Sequence, residues 1–287
     1  MTKENYRSGY IAVVGRPNVG KSTLVNALVG EKVSIVTSKP QTTQINILGI
    51  VHLPHAQIML IDTPGLLSER GKRLNSKQTS KETRTALAMA DLAVFVVEVN
   101  RWRKEDDYLM DRLGEFNFEK ILAVNKIDLF KDKSQILDFL AQSSTKGLFK
   151  EIVPISALRG KNINRLKSLM GANLPFQTPQ FSKETVTDKS TVFRISEIVR
   201  EKLMKSLRDE LPYSLTCKVD HMEEKNNLIL IELSILLLKE SHKKIVIGKN
   251  GRTLKQVGTE SRKEIEKLLG KKVFLSSVVK SGQKRRV

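Results

Sequence analysis

Gly15-Arg16-Pro17-Asn18-Val19-Gly20-Lys21-Ser22, continued by Thr23, has the spacing G-x-x-x-x-G-K-[ST] between an apolar run, Tyr10–Val14, and a helix expected to start near Ser22. Two glycines let such a loop turn its N–H groups inward at phosphate oxygens, and the helix N-terminus adds the positive end of its dipole. Lys21 would reach the β- and γ-phosphates, and the Ser22 hydroxyl would ligate Mg2+. Asp62-Thr63-Pro64-Gly65 follows the apolar run Ile58–Ile61. A carboxylate there can hold the same Mg2+, usually through water, and the Gly65 N–H can sense a γ-phosphate. Asn125-Lys126-Ile127-Asp128 follows Ile121–Val124. Asp128 can accept from guanine N1–H and N2–H2, a donor pair that adenine lacks, so the wrong base would leave the carboxylate unpaired. Asn125 can reach guanine N7 and tie loops together, and the Lys126 stem can cover the base. Ser156-Ala157, after Ile152–Ile155, can lend a backbone N–H to guanine O6. Four ordered motifs, each closing an apolar run, describe a site for GTP or GDP with Mg2+.

A switch belongs with such a site. Pro40-Gln41-Thr42-Thr43-Gln44 lies in a polar stretch before Asn46–Val51, where one threonine could close onto Mg2+ when the γ-phosphate is present. Spacing leaves Thr42 and Thr43 both open. Thr43 is the expected ligand.

The elements that must position these residues are also legible. Buried apolar runs at Tyr10–Val14, Ile58–Ile61, Leu92–Val97, Ile121–Val124 and Ile152–Ile155 suit a largely parallel sheet. Amphipathic stretches such as Asp106–Gly114 and Lys133–Leu140 suit crossover helices, which gives an α/β domain with helices on both sheet faces. Two prolines in Leu174-Pro175-Phe176-Gln177-Thr178-Pro179-Gln180, followed by polar non-periodic chain, predict a linker over 176–192 between a domain at 1–175 and another at 193–287. The second reads α-β-β-α-α-β: a helix over Glu197–Glu210, strands Ser214–Asp220 and Leu228–Leu238 joined by an acidic turn His221–Asn227, a helix over Arg252–Leu269 and a strand Val273–Val279.

In that second domain Ile247-Gly248-Lys249-Asn250-Gly251-Arg252 places a G-x-x-G loop between two helices. Glycines at both ends let the backbone approach a nucleic acid, while Lys249, Arg252 and Lys255 offer charge to phosphates and an adjacent apolar groove can accept single-stranded bases. The chain carries 50 Lys+Arg against 31 Asp+Glu, a formal charge of +19 over 287 residues. Residues 181–287 hold 24 basic and 14 acidic side chains, and 1–180 hold 26 and 17, so charge density is about twice as high in the second part. That suits RNA phosphates and a salt-sensitive affinity. Phe274 is the only aromatic after Tyr213, which favours backbone and groove readout over stacking. Composition excludes disorder and a disulfide scaffold, since 40% of residues are hydrophobic and there is one cysteine. No run approaches the roughly 18 apolar residues of a membrane-spanning helix.

The order of Gly15–Ser22, Gln41–Thr43, Asp62–Gly65, Asn125–Asp128 and Ser156-Ala157 resembles translation-factor-related P-loop GTPases, and α-β-β-α-α-β around I-G-x-x-G resembles a small α+β type II KH domain. The two in tandem resemble the Era family almost end to end, including Arg101-Trp102 with Asp106-Asp107, Glu210–Ser214 and Gly258–Glu264. The resemblance implies a monomeric GTPase that binds the 3′ end of 16S ribosomal RNA and acts in 30S subunit assembly. It also implies a cytoplasmic protein with peripheral association at the inner face of the cell membrane. Two departures stand out. Leu66 occupies the place where Ras-like enzymes have a water-orienting glutamine, which implies slow intrinsic turnover stimulated by RNA or a partner. The tail ends in Gln-Lys-Arg-Arg-Val without the tryptophan often found there.

Overall fold

Alternation along β1 (Arg7–Val14) sets the layers of the first unit. Ile11 and Val13 point to one side and pack with Leu24, Val25 and Leu28 of α1 (Lys21–Val29). Ala12 and Val14 point to the other, toward Leu109, Leu113 and Phe139. Because both faces are covered, β3 (Ala56–Asp62) and β4 (Leu92–Glu98) are buried at every residue, as strands of a two-sided parallel sheet must be. The computed structural model describes residues 5–37, 39, 46–63, 84–208 and 211–281. Its six-stranded sheet runs β2-β3-β1-β4-β5-β6, with β2 (Ile47–Leu53), β5 (Glu119–Asn125) and β6 (Glu151–Pro154). Only the β2–β3 pair is antiparallel. Helices α2 (Lys104–Gly114) and α3 (Lys133–Ser144) cover one face, and α1 with α4 (Ile163–Ala172) covers the other. The order reverses around β1, so its C-terminal end opens the crevice where α/β sheets take ligands.

Contacts divide the chain chiefly between Asp188 and Lys189. Much of the polar stretch expected as a linker packs on the first unit. Gln177 N donates to Tyr6 O at 3.1 Å. The buried Gln57 side chain accepts from Gln180 N (2.7 Å) and Phe181 N (3.0 Å) and donates to Phe181 O (2.7 Å). Ile50 N donates to Val186 O at 2.9 Å, and Leu48 N to the Asp188 carboxylate at 3.0 Å. This strap lies along the otherwise open edge of β2, and covering such an edge removes a template for unwanted strand pairing. Its partners are backbone groups and the distant side chains of Gln57, Tyr10 (hydroxyl to Gln180 Oε1, 2.9 Å) and His52 (Nε2 to Thr185 O, 2.9 Å), which no hydropathy pattern reveals.

The second unit has a three-stranded sheet, β7 (Leu215–Lys225), β8 (Leu228–Leu237) and β9 (Lys272–Ser281), in that order, with β7–β8 antiparallel and β8–β9 parallel. One face packs on α5 (Thr191–Ser206) and α7 (Arg252–Leu269), and the short α6 (Lys243–Ile247) precedes the glycine loop. Two local expectations shift. The first helix begins at Thr191, because the Ser190 hydroxyl accepts from Phe193 N at 3.2 Å and caps it there, and it ends at Ser206. The acidic stretch is strand through Lys225, and the turn shrinks to Asn226 and Asn227, at φ 48° and 61°. Asparagine tolerates this left-handed region, and a two-residue turn of that hand matches strand twist. The register of β7 on β8 shifts between Val219 and His221.

Candidate functional site

The phosphate loop runs from the end of β1 into α1, whose N-cap is Gly20 at φ 102°. A Cβ on Gly20 would lie 2.4 Å from Asn125 Nδ2, so the loop admits only glycine where the base-binding segment crosses it. Lys21 is buried, with Nζ donating to Gly15 O and Arg16 O at 2.9 Å each. Burial pushes its ammonium down to about 8, against the opposing pull of Asp62 and with a smaller push from Arg16. Ser22 Oγ donates to Asp62 Oδ2 at 2.8 Å, which brings together a hydroxyl and a fully buried carboxylate at the end of β3. Thr63 Oγ1 donates to Val13 O at 2.8 Å and pins that strand end beside β1. The Arg16 side chain reaches Asp106, with Nε donating to Oδ2 at 2.7 Å.

The loops expected to read a base meet at Asn125, the last residue of β5. Its Nδ2 donates to Val19 O at 2.8 Å and its Oδ1 accepts from Ala157 N at 3.0 Å, so one amide joins the phosphate loop to the Ser156-Ala157 segment. The Ser156 hydroxyl donates to Asp128 and holds that carboxylate. Ser156 N donates to Lys161 O at 3.2 Å. Both N–H groups of the Ser156-Ala157 pair therefore have protein partners, and donation to a base oxygen requires one of these bonds to open or be shared. Lys126, at φ 68°, places Nζ 3.2 Å from Glu98 Oε2. Glu98 ends β4 opposite Asn125 and also pairs with Arg101 at 3.2 Å. Neither Glu98 nor Asp106 has a role that its local sequence reveals. A charged residue closing an otherwise apolar strand is the available signal for Glu98. Thr42, Thr43, Pro64, Gly65 and Leu66 lie outside the described residues.

In the second unit Gly248 adopts φ 77°, ψ 170°, a region open to glycine alone, and a Cβ there would lie 2.2 Å from Thr253 Oγ1. Asn250 is left-handed at φ 52°, and Gly251 caps α7. Lys249, Asn250, Arg252 and Lys255 are exposed, while Ile247 packs against the core. Among the described residues Lys249, Arg252 and Lys255 have no acidic partner, in contrast to Lys202, which pairs with Glu264, and Lys271, which pairs with Glu224 at 2.6 Å. Phe274 is exposed on the sheet face opposite Val273 and Val279, away from the packed helices. Helix N-terminus, glycine backbone and unpaired cations together suit a phosphate backbone.

Comparison with known proteins gives a family for each unit. Residues 10–126 match a family described as 50S ribosome-binding GTPase, and residues 210–285 match the KH domain. GTPase Era of Xylella fastidiosa strain M12 is 44% identical over 96% of this chain and 92% of its own length. GTPase Era of Xanthomonas oryzae pv. oryzae is 42% identical over 98% and 93%. A crystal structure of Era with MgGDPNP and nucleotides 1506–1542 of 16S ribosomal RNA superposes with a TM-score of 0.90 at 35% identity, covering 97% of this chain and 95% of that one. A single-residue variant of Aquifex aeolicus Era bound to GDP.AlF4- gives the same TM-score, identity and coverage. A phosphate loop tied to the Asn125 loop, followed by a KH unit with open cations, matched over nearly the whole length of such relatives, makes this chain a GTPase of the Era family.

Proposed function

We propose that the chain is a GTP-hydrolysing switch that binds the 3′ region of 16S ribosomal RNA and acts in assembly of the 30S subunit. The observation that carries the reading is the presence of both sites in one chain that matches RNA-bound Era over 97% of its length. The GTPase-family match covers residues 10–126 alone, so its large-subunit description does not extend to the KH unit.

The donor set fits the implied cofactors. Ser22 Oγ and the buried Asp62 carboxylate are hard oxygen ligands of the kind Mg2+ prefers, and Lys21 stands beside them. Bound there, Mg2+ would neutralise charge that develops on the phosphates. Lys21 contributes an ammonium at the same place, Asp128 selects guanine, and Asn125 fixes the distance between base and phosphate loops. Thr42 or Thr43 and Gly65 would report the γ-phosphate. Leu66 cannot orient water, so turnover is slow until RNA or a partner supplies that group.

The protein is cytoplasmic and monomeric in this reading. Among the described residues no helix is long and apolar enough to cross a membrane, so association with the inner membrane face would be peripheral, through basic side chains. The deciding experiment measures multiple-turnover GTP hydrolysis with and without 16S 3′ RNA. RNA-stimulated turnover that is lost in Lys21→Ala supports the switch. RNA binding with no turnover would instead make nucleotide a structural ligand of an assembly factor. In Lys249→Glu/Arg252→Glu, RNA affinity should fall while nucleotide affinity stays.

A further inference from the structure

The phosphate loop is also held from a side that its motif does not specify. Arg16, the second loop residue, is buried. Its Nε donates to Asp106 Oδ2 at 2.7 Å and its Nη2 to Arg101 O at 2.8 Å. Asp106, in the first turn of α2, is 0% exposed. Its Oδ2 also accepts from Arg103 N at 3.0 Å, and its Oδ1 has no hydrogen-bond partner among the described residues. The Arg16 carbonyl in turn accepts from Lys21 Nζ at 2.9 Å. One residue is thus fixed twice, by its side chain to the β4–α2 connection and by its carbonyl to the lysine of the phosphate site.

Capping the helix does not require this charge. Asp106 is the third residue of α2 and accepts from the N-cap N–H of Arg103, a role that an uncharged amide such as glutamine also fills, whereas a carboxylate with one unpartnered oxygen is costly to bury. The charge is explained by what it holds, a guanidinium that is itself nearly excluded from water. We propose that Asp106 is a positioning residue for the nucleotide site. It anchors Arg16 so that the Arg16 carbonyl orients Lys21 toward the phosphates, which makes the β4–α2 connection part of nucleotide affinity. This rests on the reading of Gly15–Ser22 as a guanine nucleotide site.

The test uses the full chain and measures affinity and dissociation of fluorescent GDP and GTP with Mg2+, beside thermal unfolding without nucleotide. Asp106→Asn keeps the size and an acceptor but removes the charge. Arg16→Lys keeps the charge but not the two-point hold. Trp102→Phe is the control. It removes a hydrogen bond from Trp102 Nε1 to Asp107 Oδ1 (2.7 Å) on the same connection and leaves the Arg16–Asp106 pair intact. We expect Asp106→Asn to weaken both nucleotides about tenfold through faster dissociation, and Arg16→Lys to weaken them less. Trp102→Phe should lower the melting temperature with affinity unchanged. If the two pair variants lose stability as Trp102→Phe does while affinities stay within twofold, the pair only pins α2 and the proposal fails. If Asp106→Asn does not fold, Arg16→Lys decides alone on the same criterion. Failure of the unaltered protein to bind guanine nucleotide would instead overturn the reading of the site.

Discussion

At the residue scale, the buried Lys21 ammonium is the group whose environment changes its chemistry most usefully. Folded, it releases its proton near pH 8; unfolded, it does so near the ordinary lysine value of 10.5. Between those values the unfolded chain binds more protons, so this group's contribution to stability rises with pH and its burial penalty is fully present below pH 8. Relative to Lys21→Met, the nucleotide-free protein should gain about 3 kcal/mol between pH 8 and 10.5. Urea unfolding of both proteins at pH 7.5 and 10.5 measures the difference, and a constant gap would show that Lys21 is not desolvated. An anionic ligand reverses the balance by keeping the lysine charged, which is the electrostatic use of holding a cation in this loop.

At the element scale, the strap over β2 is held in part by one buried side chain. Gln57 offers both ends of its amide to the backbone of Gln180 and Phe181. Gln57→Ala leaves those groups without their partner, so we expect a stability loss of about 2 kcal/mol. Amide exchange should accelerate at Phe181 and along the edge pairing of Val186 and Thr187 with β2. Exchange rates unchanged from the parent protein would mean that the strap is held by its ends alone. Of the strands beneath it, β3 was legible because a strand buried on both faces reads as a continuous apolar run. The strap was not, since its sequence is polar and twice broken by proline, and the buried polar Gln57 stands just before the apolar run Ile58–Ile61.

At the scale of the whole molecule, the surplus of +19 divides between two kinds of work. In the first unit, two cations at the nucleotide loops have acidic partners: Arg16 with Asp106 and Lys126 with Glu98. In the second, Lys249, Arg252 and Lys255 stand open beside a glycine loop. RNA affinity should therefore fall steeply with salt, each neutralised phosphate on a single strand adding about −0.7 to the log–log slope. Lys249→Ala/Arg252→Ala should flatten that slope by about 1.4 and weaken binding across RNA sequences alike. Filter binding or fluorescence titration from low to high salt reads it out. A slope identical to the parent's would put the phosphate contacts elsewhere.

The sequence by itself determined the family-level chemistry, a guanine-nucleotide loop domain followed by a KH unit, and it supplied the candidate residues for phosphate, magnesium and guanine. Those assignments need only residue type at short spacing, because loops at strand ends and helix starts are built from consecutive residues. Tertiary structure decided what holds them. Asp106 lies 90 positions from Arg16, Glu98 is 28 from Lys126, and the Asn125 amide bridges loops 106 and 32 positions away. Contacts of that kind follow from strand order and register, which bring distant strand ends into one row, and no local pattern encodes which distant partner a side chain will find.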